Sequence, residues 1–256
     1  MTQANLLFRP LRNADIPTVA PLLQQAHLRA TDILPGGHAA SGLDSEEHCP
    51  FVLEDTERGA VVGFIMLRPA ASRLQPLHSF RRGAQAHASY DGNTYAMKQT
   101  LTLSTDLVDC ALLGMPLLLP GAPPGSDLRL VEGALAHAME FSHRFPPALI
   151  TRLPGRRRSD GGAPFWDGLG RHFVRAKHVP RLDGSGVPMQ DYGIAELMPR
   201  WPIYVDLLPA ELRAATGQLA STAEPVHRLL LQHGFMATEH VDVIDGGPWL
   251  ARRLRA

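Results

Sequence analysis

Cysteine is almost missing from this chain: Cys49 and Cys110 are the only two in 256 residues, and no repeated spacing joins them. That excludes a disulfide scaffold and leaves the ordinary reading of two reduced thiols in a cytoplasmic protein. A charge excess is missing too, since 25 basic side chains offset 25 acidic ones. A dedicated nucleic-acid binder or membrane-surface protein normally carries a basic excess or a basic face, so neither partner is expected. No apolar run approaches the roughly 20 residues of a membrane helix. The most apolar stretch, Ala111 to Leu119, is short and runs into Pro120. Residues Met1 to Phe8 lack the basic start and apolar run of a signal peptide. The twelve histidines show neither His-Glu-x-x-His nor Cys/His ligand spacing, so no metal site is expected. No Gly-x-Ser-x-Gly elbow and no Walker-type phosphate loop is present.

What is there is the pattern of an α+β domain. Leu6 to Pro10 reads as a short strand, followed by Ile16, Val19, Ala20, Leu23 and Ala26 at helical spacing, with Asn13 or Asp15 as cap. Pro17 fits the first turn, whereas Pro21 predicts a kink or an early end. Pro35 to Pro50 reads as a loop. Phe51-Val52-Leu53 and Val61 to Leu67 form a predicted hairpin around the polar turn ending in Gly59. Pro69 to Gly92 reads as irregular, and Thr100 to Leu103 and Ala111 to Leu119 as strands, the second central. After the Gly121–Gly125 turn, a helix is predicted from Asp127 to Phe141 with Val131, Leu135 and Ala138 inward. Leu149 to Leu153 reads as a strand and Arg156 to Gly162 as a polar loop. Two short helices follow, one marked by Phe165, Leu169 and Phe173, the other by Val226, Leu229 and Leu230 and closed by Gly234. Val241 to Ile244 reads as the last strand. Early hairpins and later single helices between strands predict a mixed, largely antiparallel sheet.

Three segments carry more than pattern. They are Ala163-Pro164-Phe165-Trp166-Asp167-Gly168 through Phe173, Ile194-Ala195-Glu196-Leu197-Met198-Pro199 through Tyr204, and His233-Gly234-Phe235 through Val241 to Pro248. Phe51 to Asp55 and His87-Ala88-Ser89 add to them upstream. In this order they resemble the arginine N-succinyltransferase family, and the opening Arg9-Pro10 with Asp15 resembles the GNAT superfamily of acyltransferases. The resemblance implies two GNAT-like halves, 1–125 and 126–256. It implies transfer of a succinyl group from succinyl-CoA to the α-amino group of arginine in arginine catabolism, with succinyl-CoA as co-substrate and no tightly bound cofactor. It also implies an oligomer, homomeric or built with a related chain.

Chemistry of this kind needs a base for the attacking amine, a donor for the oxyanion, and a proton for the leaving thiolate. The family's proposed proton donor is a histidine in a Gly-Gln-Val-His-Pro stretch. Here the chain reads Gly217-Gln218-Leu219-Ala220-Ser221, so a methyl group stands where the imidazole would be. His227 substitutes only if a helical turn brings it back; otherwise it faces solvent. His87 and Glu196 are the other candidates for catalysis, against a hydrogen-bonding histidine and an arginine-paired carboxylate. For the acyl-CoA, Leu117 matches the family's contact strand, although a leucine in an apolar run is equally core. Gly125 and Ser126 precede a helix, loosely as a phosphate seat requires, but Pro123 and Pro124 lack donors and Asp127 is negative. Arg152 stands where the family carries an acidic residue, and with Arg156-Arg157-Arg158 it would repel a guanidinium substrate. Arg152 opens one alternative, an acyltransferase for a different amine; the missing histidine and the poor phosphate seat open another, a degenerate, non-catalytic subunit.

Overall fold

The computed structural model describes residues 5–25, 48–69, 77–92, 94–174 and 197–255. The described strands form one sheet. In chain order they are β1 (Leu6–Pro10), β2 (Cys49–Asp55), β3 (Ala60–Arg68), β4 (Ser79–Ala88), β5 (Tyr95–Ser104), β6 (Cys110–Leu113), β7 (Leu117–Leu118), β8 (Ala148–Arg152), β9 (Ile203–Tyr204), β10 (Met236–Val241) and β11 (Pro248–Arg253). Across the sheet the order is β1-β2-β3-β6-β8-β11-β10-β4-β5-β9, with β7 paired to β3 off this path. Among the described pairs only β6 and β8 run parallel. The predicted α+β fold with a largely antiparallel sheet is therefore what the chain adopts. Strands from before and after residue 125 interleave in it, because β8, β11 and β10 lie between β6 and β4.

Three helices cover the β1–β8 side. Helix α1 (Ile16–Gln25) continues past Pro21 instead of ending there. It sets Val19, Leu22 and Leu23 against Val52, Phe64 and Met66. Its entry is fixed by Asp15, whose Oδ2 accepts the Arg12 amide at 2.7 Å and whose two oxygens accept the Arg9 guanidinium at 2.6 and 2.9 Å. That ion pair holds the Asp15 carboxyl below its ordinary value. On the opposite face, α2 (Ser126–Glu140) buries Leu130, Val131, Ala134, Leu135 and Ala138, one continuous stripe at helical spacing. It packs on Phe51, Leu53, Ile65 and Leu67, so alternate residues of β2 and β3 serve the two helical layers. Near the other end, α3 (Pro164–Gly168) and α4 (Ala210–Ala215) bury Phe165, Trp166 and Leu212 with Phe80, Leu101 and Val241. Helix α5 (Glu224–Gln232) tucks Val226 and Leu230 beside α2 and ends at Gly234 (φ 80°), the left-handed position that glycine takes without strain.

Four further expectations change. Pro69 to Gly92 is not irregular: it contains β4, paired with β5 from Ser79↔Ser104 to Ala88↔Tyr95. Ala111 to Leu119 is two strands, broken at Gly114-Met115-Pro116, since proline has no N–H for a ladder. The last strand is β11, beyond the Asp245–Gly247 turn, because β10 ends at Val241 and the turn folds the chain back on it. Phe173 is exposed, outside the short helix. The predicted loop at 35–50 lies mostly outside the described residues. No helix among the described residues is long and apolar enough to cross a membrane.

Candidate active-site cleft

The strand break creates a cleft. β6 pairs with both β3 and β8, but beyond Leu113 the chain leaves β8, and among the described strands β7 pairs with β3 alone, Gly63↔Leu118 and Phe64↔Leu117. Gly63 permits that approach: a methyl there would meet Leu118 and Leu130 carbons at 2.8 Å. The splay opens a cleft of about 810 Å³ between β7, the segment after β8 and the segment before α5. Met115, Pro116 and Leu118 line its apolar wall, with Asp127 of α2 beside them. Arg156, Arg157, Arg158 and Ser159 line the second wall. Gln218 through Glu224, with Ala220 among them, line the third.

The second and third walls are locked together by backbone. Gly155 bridges Leu219, Arg156 N donates to Gln218 O at 2.9 Å, and Ala220 N donates to Pro154 O at 2.8 Å. Gly217 N donates to Gly246 O at 2.8 Å, tying the third wall to the β10–β11 turn. Glycine is required at 155, since any Cβ would overlap the Asp245 carbonyl. Beneath this junction lie Arg152, Asp242 and Asp245, all buried. Arg152 is ion-paired with Asp242. The other Asp242 oxygen accepts the amides of Ile244 (2.8 Å) and Asp245 (3.0 Å), and Asp245 accepts that of Gly247 (2.9 Å). Both aspartates thus perform turn chemistry, their carboxylates accepting amides of the turn that follows β10. Burial, and after it the Asp242 charge, push the Asp245 carboxyl up to about 6.

Arg152 therefore does not line the cleft: its guanidinium is ion-paired with Asp242, and the arginines that line the cleft are 156–158. Arg158 is itself tied to Asp167 and, at 3.2 Å, to Glu211. The other predicted site residues scatter. Leu117 is buried on β7, immediately before Leu118 of the cleft wall. Gly125 (φ 82°) caps α2, and Ser126 is buried with its hydroxyl donated to Pro123 O at 2.7 Å. His227 is half-buried on α5, next to Val226 of the lining but not in the lining itself. His87 lies on the exposed part of β4, its ring edge-on to Tyr204 at 5.3 Å, away from the cleft. Glu196 lies outside the described residues. Asp127, Ser221, Thr222 and Glu224 line the cleft without having been singled out as binding or catalytic groups. The nearest signal for them was Ala220 at a position where chemistry was expected.

Residues 6–256 match the family described as "Arginine N-succinyltransferase beta subunit". The chain belongs to the arginine N-succinyltransferase family. Family members are acyltransferases, as the sequence motifs implied. An arginine N-succinyltransferase of Yersinia enterocolitica is 36% identical over 208 residues, 78% of this chain and 58% of that protein. The chain thus spans less than two thirds of that relative's length. The arginine N-succinyltransferase subunit alpha of Pseudomonas aeruginosa is 28% identical over 263 residues, 97% of this chain and 78% of that one. Among solved structures, the arginine/ornithine succinyltransferase subunit AI from Pseudomonas aeruginosa superposes with a TM-score of 0.76 at 25% identity, covering 97% of this chain and 77% of that chain.

Proposed function

We propose that this chain takes an acyl-CoA, succinyl-CoA in keeping with its family, into the β7–β8 cleft and transfers the acyl group to the α-amino group of arginine in the cytoplasm. The observation that supports this most directly is the splay itself. Strand β7 leaves β8 and offers backbone along an apolar wall, which suits a pantetheine arm and a thioester carbonyl needing an N–H donor. The position of the family's proposed proton donor, Ala220, falls on the same cleft. With no imidazole there, proton transfer is left to water and to the carboxylates Asp127 and Glu224, also on the lining.

Ala220 equally supports a second reading, a non-catalytic subunit working beside a related, active chain. The β4–β5 ribbon suits assembly: Tyr95 and Met97 are exposed on it, and β4 meets β10 only at Phe80 and Arg81, leaving the rest of that edge without a strand partner among the described residues.

Thiol release from succinyl-CoA, with arginine or ornithine as acceptor, separates the two. Turnover by the wild-type chain, raised about 100-fold or more in Ala220→His, is the result expected of an acyltransferase short of one acid–base group. No thiol release from either protein, together with co-purification with an active related chain, would sink the catalytic reading.

A further inference from the structure

The helix terminus that would ordinarily seat a phosphate is poorly equipped here. Pro123 and Pro124 carry no N–H. The Ser126 amide and hydroxyl both point at Pro123 O, at 3.2 and 2.7 Å. Asp127 places a carboxylate on that side of the cleft, and it would repel an anion.

Across the cleft the situation is reversed. Arg156 is exposed, and its guanidinium makes no hydrogen bond or ion pair among the described residues. Its backbone is not free to drift, because the Gly155–Leu219 bridge and the Arg156 N to Gln218 O bond fix it against the third wall. Ser221 and Thr222 on that wall are exposed, and their hydroxyls likewise have no partner among the described residues. A guanidinium with five donors, set in a cleft with two hydroxyls, suits a planar carboxylate or a phosphate held by two parallel bonds. Glu224 lies further along the same wall and would oppose an anion beside it, which leaves the Arg156 end as the seat.

We infer that the anionic part of the ligand is held by Arg156 with Ser221 and Thr222, not at the N-terminus of α2. The anion is a carboxylate or a phosphate; that it belongs to an acyl-CoA rests on the function proposed above. Ligand recognition then rests on a side chain of the opposite wall, not on a helix terminus.

Calorimetry on the full chain tests this with pyrophosphate, succinate, CoA, acetyl-CoA and succinyl-CoA as probes, using wild type, Arg156→Lys and Arg156→Glu. Because Arg156 is exposed, neither variant disturbs the core. Loss of one charge-assisted pair predicts affinity weakened about 10-fold or more in Arg156→Glu and less in Arg156→Lys. If the anion is a phosphate, pyrophosphate, CoA and both thioesters lose affinity together. If it is the acyl carboxylate, succinate and succinyl-CoA lose affinity while CoA and acetyl-CoA do not. Unchanged binding of every probe by Arg156→Glu overturns the inference, as does a wild-type chain that binds none of them. Bare anions bound through Arg156 without any thioester binding would keep the anion seat and remove the acyl-CoA reading.

Discussion

Arg152, Asp242 and Asp245 are buried together beneath the cleft, two carboxylates for one guanidinium. The arrangement holds because backbone amides share the load: the N–H groups of Ile244, Asp245 and Gly247 donate to the two carboxylates, beside the Arg152–Asp242 pair. The cost falls on Asp245, whose carboxyl is pushed up to about 6 from an ordinary value of 3.8. The folded state therefore binds that proton more tightly than the unfolded chain. Stability from this group is complete below about pH 4 and is lost as pH rises through about 6. Asp245→Asn keeps an acceptor for Gly247 N–H and cannot ionise. Its melting temperature should exceed the wild-type value by several degrees at pH 8, and the difference should vanish near pH 4. Thermal melts at both pH values check this, and a variant less stable than wild type at pH 8 would show that the Asp245 charge is needed. In the sequence Arg152 was legible only as a basic residue at a position where the family carries an acidic one. Nothing local shows that positions 90 residues apart meet.

At the scale of elements, α2 was readable because its apolar residues recur on one face, and the observed helix differs from the predicted one by one residue at each end. Its packing was not readable. Gly133 faces the Phe8 ring, which stacks on Phe51 at 4.8 Å between centroids, and a Cβ at 133 would overlap that ring. Helix propensity alone favours Gly133→Ala by about 1 kcal/mol. Overpacking against a ring already stacked costs about 1–3 kcal/mol, so the clash wins. Gly133→Ala should lower the melting temperature by a few degrees; a rise would show that Phe8 yields freely. Strand β4 is the opposite case. Arg81-Arg82-Gly83-Ala84-Gln85-Ala86-His87 shows no apolar alternation because these residues are exposed on both faces, so the period that betrays a strand is absent. Pairing with β5 along ten residues makes it one all the same.

The whole sheet depends on its last strand. β11 lies between β8 and β10, and through β10 it joins the β1–β8 block to the β4–β5 ribbon. It also buries Trp249 and Leu250 in two different core clusters. A chain ending at Gly247 should lose cooperative unfolding, because removing β11 exposes two sheet edges and uncovers both clusters. Near-ultraviolet circular dichroism and a thermal melt report the outcome. A sharp transition at the wild-type temperature would mean that the two blocks fold independently of β11.

The sequence by itself determined the α+β class, the helices with a clear apolar stripe, the early hairpin and the family, since these rest on local periodicity and on short motifs in order. The family resemblance also led to the expectation of an imidazole at position 220, where the chain has alanine. Only the tertiary structure decided which side chains share a cleft. It placed Arg156, Ser221 and Thr222 around Ala220, took Arg152 into the core with Asp242, and left His87 on an exposed ribbon. The reason is that a cleft is made by strand splay and by backbone locks between loops about 60 residues apart, such as Arg156 and Gln218. Neither leaves a period in the chain.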